Sequence, residues 1–290
     1  MRSWVVIPLL GVTAAEIALC TQHSTWSAAV VGCVAVALGA AIRSFIGRSL
    51  AAALSGVAGA LLGVIGLVGL PSLEVQRGRF AIGGAAALFA IYQLTRSRAD
   101  RASPAPAIAA SLLASALDPS YVPLWVVVAV QWAARSQGAT RRWMYGVAVV
   151  GVVATCGAVA LATLWHDGAT WRAWSGLHGE ASGVGDVFER IGDLLGPIAA
   201  CCSVAGLVLC ILLNKSGGLA ISAVAAMTVI AAWSSNDIPP AAPMVAGVCS
   251  GVAIGRFAAS LHHPAGQAFI GAVAGFVLVV GSAWSLVAAM

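Results

Sequence analysis

Charge is what this chain has least of: only 9% of its 290 residues are Asp, Glu, Lys or Arg, against about 25% in a soluble domain. That scarcity excludes an ordinary water-soluble fold, which would have too little polar surface to cover it. Lysine is almost missing, with Lys215 the single one among fifteen basic residues. Long polar stretches are missing too, since the longest runs only from His166 to Asp193, so no soluble domain is expected. Cysteine is present without metal-ligand spacing. Cys20, Cys33, Cys156, Cys201, Cys202, Cys210 and Cys249 all fall in apolar runs and read as small core residues. No metal and no cofactor is expected. The net charge of +5 would point to nucleic acid in a soluble protein. In so apolar a chain it reports orientation in a membrane, and no nucleic-acid partner is expected.

What the chain has is apolar length. It is 60% hydrophobic with a mean hydropathy of +0.96. A helical span needs about 17 to 25 apolar residues, and nine segments qualify: Trp4–Cys20, Trp26–Ala41, Ser49–Leu70, Phe80–Leu94, Trp143–Trp165, Leu194–Leu213, Gly217–Trp233, Pro240–Gly255 and Gly266–Ala288. The fold class is therefore all-α, a polytopic integral membrane helical bundle of about nine full spans plus one broken or re-entrant helix pair. Residues 1–290 form a single transmembrane domain with the lipid bilayer as its first partner. Abundant Ala and Gly beside a single lysine suggest a GC-rich bacterial genome, hence a bacterial inner membrane. Trp4–Cys20 has no polar cleavage region and holds Glu16, so it reads as a retained helix, not a signal peptide.

The tenth segment, Ala107–Ala134, interrupts itself with "SALDPSYVPLW". At about 1.5 Å per residue its length makes roughly 42 Å of helix, too much for a hydrocarbon core of about 30 Å. Split at Asp118-Pro119, each half is too short to cross. Charge decides between one crossing and none, because cytoplasmic loops collect Arg and Lys. If the segment returns to its side of entry, the basic residues divide eleven to four; if it crosses once, eight to seven. The return is favoured, as a re-entrant pair or two short spans, with the N-terminus cytoplasmic and the C-terminus extracytoplasmic. Pro119 and Pro123 break the helix, and broken backbone at membrane depth must be surrounded by protein or a water-filled cavity. Asp118 is thus a candidate functional carboxylate that either caps the second half-helix through the N–H groups of residues 120 to 122 or lines a cavity.

Glu16 is the other intramembrane carboxylate. Such a group is costly and normally faces a partner or water; it could relay a proton, bind a cation, or sit protonated on a neighbouring hydroxyl. Gly59, Gly63, Gly247, Gly251, Gly255, Gly271 and Gly275 recur at four-residue spacing, which lets helix backbones approach closely. Residues 166–193 form an extracytoplasmic loop in which Trp165, Trp171 and Trp174 suit the headgroup layer. Within it Val184, Val187, Phe188, Ile191 and Leu194 recur at helical spacing, as in an interfacial amphipathic helix. His166, Asp167, His178, Asp186 and Asp193, with Glu180 and Glu189, form a candidate outer-loop site for metal or acid/base chemistry, or else a solvated loop.

From Ala107 to Gly196, the broken "AASLLASALDPSYVPLWVVVAVQW", the basic turn "ARSQGATRRW", a span and the loop "HDGATWRAW" leading to "DLLGPIAA" resemble part of the GT-C-type membrane glycosyltransferases, which include the protein O-mannosyltransferases. That resemblance implies a lipid-linked substrate, a polyprenyl-phosphate sugar donor, and a catalytic carboxylate in the first outer loop, where Glu16 is the nearest. Three functions follow from the sequence. The leading one is a non-catalytic subunit or scaffold of a membrane complex, with partner subunits. The others are a small-solute or ion transporter using Glu16 and Asp118, and a reduced GT-C-like transferase.

Overall fold

The computed structural model describes residues 25–47, 49–68, 77–96, 103–165, 168–177, 183–235, 237–261 and 263–289. Trp4–Cys20 with Glu16, and likewise His166, Asp167, His178 and Glu180, lie outside them. Among the described residues every regular element is helical. The helices are α1 Thr25–Ile46, α2 Leu50–Val68, α3 Arg77–Arg96, α4 Ala105–Leu117, α5 Val122–Arg135, α6 Gly138–Leu164, α7 Ala169–Ser175, α8 Val184–Leu195, α9 Pro197–Leu213, α10 Lys215–Trp233, α11 Ala241–Ala259 and α12 Pro264–Ala289, with a 3-10 turn at Pro119–Tyr121.

The described residues of each hydropathy segment from Trp26 onward fall largely on one helix; of Leu194–Leu213, Leu194 and Leu195 end α8 and Gly196 separates them from α9. By length and composition α6, α10 and α11 can cross a membrane alone; α8 and α9 qualify only together, bent through 111°. Among the described residues the other apolar stretches, Val31–Ile46, Ala52–Leu67, Arg79–Thr95, Ala105–Leu117 and Ala265–Gly281, are shorter.

The bundle is organised around α11, which buries 14 of its 19 residues. Small side chains put it there. A Cβ on Gly247 of α11 would stand 2.5 Å from the Gly59 carbonyl oxygen and 3.1 Å from the Gly63 Cα, and one on Gly59 would stand 3.0 Å from the Gly251 Cα. No side chain fits between α2 and α11 at those points. In a bilayer lipid supplies no hydrophobic drive to associate helices, and close backbone contact of this kind is what would hold them. The helix α12 packs against both: a Cβ on its Gly275 would come within 2.8 Å of Ala58, and one on its Gly271 would lie 3.7 Å from Leu54 and 3.8 Å from Ala258. On the other flank of α11, Gly206 of α9 lies against the Cys249 backbone. At the edge, α6 has only 22% of its apolar window buried, against 78% for α11.

Hydrogen bonds fix which helix ends share a face. Thr95 Oγ1 donates to Ser44 Oγ at 2.6 Å, joining the ends of α1 and α3. Asn214 Nδ2 donates to the Thr95 carbonyl at 3.4 Å, and Arg135 Nη2 donates to Ser216 Oγ at 3.0 Å. Arg43, Arg135, Arg141, Arg142, Lys215 and Arg256 gather at that end. Arg79, Arg172 and Arg190 occupy the opposite one, where Arg79 reaches α7 and Arg190 reaches the last turn of α10.

The thiols do not all enter the core. Cys210 and Cys249 are buried, but Cys33, Cys156 and Cys201 are exposed on the bundle wall, correcting the expectation of seven core cysteines. A thiol is a small hydrophobe, and an apolar exterior accepts it as readily as a protein interior.

Candidate functional site at the broken helix pair

Asp118 stops α4 in an extended conformation, φ −148° and ψ 123°. Pro119 then opens the 3-10 turn, and Pro123 enters the first turn of α5, where its missing N–H is an orphan in any case. The capping is narrower than the sequence suggests. Asp118 Oδ1 accepts from Ser120 N at 2.8 Å, but Tyr121 N donates to the Asp118 carbonyl at 3.2 Å and Val122 N to that of Pro119. The 3-10 turn has satisfied those two donors before the carboxylate can reach them. Asp118 is 1% exposed, and its Oδ2 and the Ser120 hydroxyl are buried with no hydrogen-bond partner among the described residues.

The break sits at the end of the bundle, not at its middle. Arg79, in the first turn of α3, donates from Nε to the Leu117 carbonyl at 3.0 Å, from Nη1 to Ala173 O at 2.9 Å and from Nη2 to Trp174 O at 2.7 Å. Trp174 Nε1 returns to Ser115 O at 3.0 Å. The single Ser115 Oγ proton is shared between Ser111 O at 2.7 Å and Tyr121 O at 3.2 Å, and the Tyr121 hydroxyl donates to Met244 Sδ at 3.3 Å. One guanidinium and one indole therefore tie α7 over the junction of α4 and α5, with α11 behind. Three carbonyls on one Arg are charge-assisted bonds, the stronger kind. The arrangement closes the break to solvent; chemically it can hold the backbone and retain one unsatisfied carboxylate oxygen.

Among the described loop residues, Asp186, Glu189 and Asp193 do not assemble with Asp118. Asp186 Oδ2 accepts from Gly183 N at 3.0 Å, capping α8, while Glu189 and Asp193 are exposed on that helix. Among the described residues no group of three His, Cys, Asp or Glu could hold a metal. Trp165 is 60% exposed, but Trp171 is 1% exposed, packed with Val122, Ala158, Ala162 and Met227. An indole has the bulk to fill the gap between α5, α6 and α10. Arg79 and Ser115 are the residues that sequence reasoning missed. Arg79 entered only as a charge to be counted, although a basic residue one turn into an apolar helix is itself a signal of a carbonyl-binding role.

Helix and site together define a class, an all-helical bundle whose apolar helices are compatible with a bilayer. No family model, curated protein or solved structure matches the chain.

A capping role predicts that Asp118→Asn, which keeps an acceptor, leaves thermal stability in detergent nearly unchanged, whereas Asp118→Leu lowers it by about 1 kcal/mol. Equal stability of the leucine and wild-type proteins in thermal unfolding would remove the cap from the account.

Proposed function

We propose that this protein is a non-catalytic subunit or scaffold of a membrane complex. One observation carries the reading. The glycines of α2, α9 and α11 are used up in contacts within the chain, whereas an added Cβ on Gly146 or Gly157 of α6 would meet nothing within 4 Å. These glycines lie eleven residues apart, on an outward face with Val149, Val150 and Val153, which are 63%, 56% and 67% exposed. Such a small, flat helix face suits the close approach of a second transmembrane helix.

The test is purification of the tagged chain from its own membranes in a mild detergent. A stoichiometric partner is expected, and the double change Gly146→Leu, Gly157→Leu should release it while the chain stays folded. A chain that elutes alone, or a partner indifferent to both leucines, would sink the reading.

The whole chain is proposed to lie in a bacterial inner membrane. Beyond the three helices of spanning length, α1, α2, α3, α9 and α12 and the segment Trp4–Cys20 supply the other crossings. The end bearing Arg135, Arg141, Arg142 and Lys215 faces the cytoplasm, as the excess of basic residues there supports, and residues 166–193 face outward with α8 in the interface. Membrane-impermeant thiol labelling at position 138 in a cysteine-free background should fail from outside; labelling there would reverse the topology.

A transport role for Asp118 is a second reading, favoured by the partnerless Oδ2. It requires Asp118→Asn to abolish solute flux in liposomes while the protein remains folded.

A further inference from the structure

The closed break leaves one chemical group unused. The Asp118 side chain is buried, Ser120 N holds its Oδ1 at 2.8 Å, and its Oδ2 and the Ser120 hydroxyl have no hydrogen-bond partner among the described residues. A buried carboxylate in that state is costly. An ion pair, a metal cation or a proton would relieve it.

The surroundings decide among the three. The turn that Asp118 opens packs against α4, α5, α7 and α10. α4 carries no charged side chain, and the basic residues of α5 and α10, Arg135 and Lys215, stand at the far end of the bundle. Arg172 of α7 is exposed, and the Tyr121 hydroxyl is committed to Met244 Sδ. The charged group that faces Asp118 is Arg79. Its attraction favours the anion, but its donors are turned to the carbonyls of Leu117, Ala173 and Trp174 and none bonds Oδ2.

A metal cation is served no better. A hard cation gathers about six oxygen ligands. At the break the carbonyls of Ser115, Leu117, Asp118, Pro119 and Tyr121 each already accept a hydrogen bond. The buried side-chain oxygens left uncommitted there are Asp118 Oδ2 and Ser120 Oγ. A proton needs one oxygen only. It removes the buried charge outright, and neutralisation is the usual response of a carboxyl in a dry site.

We infer that Asp118 is a proton-binding site, whose Oδ2 takes a proton from the solution at the Arg79 end of the bundle to form the neutral acid, and that it binds no metal ion. The inference rests on the carboxylate of the transport reading and names its ligand. Proton uptake is measured without flux, so a chain that binds the proton and moves no solute keeps the site and loses that reading.

The test is infrared difference spectroscopy of the full chain in mild detergent as the buffer is brought from about pH 8 to about pH 5, where an ordinary aspartate is still about nine-tenths ionised. An un-ionised carboxyl band should grow in the wild type, and Asp118→Asn, whose amide mimics the neutral acid, should lose it while eluting as a folded protein. The same spectral change in both proteins overturns the site. Sodium, potassium, magnesium and calcium chlorides at equal ionic strength should each shift the Tm of the two proteins alike. A stabilisation by one cation that Asp118→Asn abolishes would replace the proton with that metal. Should Asp118→Asn not fold, the wild type grown on carboxyl-13C aspartate decides: the band must move with the label, and an unmoved band overturns the site.

Discussion

Gly206→Val is expected to leave little folded protein in a mild detergent, with a loss of about 3 kcal/mol or more. A Cβ at Gly206 would overlap the Cys249 carbonyl, which is backbone and cannot rotate aside, so α9 must lift from α11. Lifting breaks the 2.9 Å hydrogen bond between Ser203 and Ser250, one turn away, and separates buried Cys210 from α11. A soluble core would resist such parting through the hydrophobic effect, but in lipid no comparable force returns the helices to contact. Gly185→Val, at an exposed glycine of α8 with nothing within 4 Å, serves as the control and should behave as wild type. The readout is the monodisperse fraction in size exclusion after graded heating. A Gly206→Val protein within about 0.5 kcal/mol of wild type, the range of an ordinary surface change, would mean that α9 and α11 do not meet as described.

Arg79→Met carries the second large effect. The methionine keeps apolar bulk but leaves the carbonyls of Leu117, Ala173 and Trp174 without their shared donor. Bonds to a charged group contribute roughly 1.5 to 3 kcal/mol each. Because one of the three is solvent-exposed, a combined loss of about 3 kcal/mol is the reasonable expectation. The loss should be local: α7 should come away from the junction of α4 and α5, and limited proteolysis between residues 166 and 182 should accelerate while the spanning helices persist. Arg79→Lys should restore only part of the protection, since an ammonium is a compact point charge and cannot reproduce the planar fork. Unchanged cleavage in Arg79→Met would show that α7 is held by its apolar contacts alone.

The membrane-type helices were readable from sequence because each is a run of apolar residues ended by polar turns, and a hydropathy window responds to that directly. The four-residue glycine spacing was equally legible: Gly59, Gly63, Gly247 and Gly251 share a face whatever lies opposite, though which helix lies opposite is a tertiary fact. Asp118-Pro119 announced the break, since no helix continues through that pair of residues unaided. Its surroundings were not legible. Arg79 lies 38 positions from Leu117 and about 95 from Ala173 and Trp174, and nothing in the local pattern of α3 says which carbonyls it will find. The burial of Trp171 was not legible for a related reason. Its sequence neighbours are those of an interfacial residue, while its burial is decided by the space that α5, α6 and α10 leave between them.

The pair α4 and α5 begins and ends on the side of Arg135, with its turn held at the side of Arg79. In the topology proposed above it therefore adds an even number of passages and is neutral to the parity of everything downstream. In that topology α6 through α12 would keep the same sense in the bilayer with the pair or without it. In topological terms the pair is a removable insertion, and Arg79, which belongs to the helix before it, is the latch that fastens it.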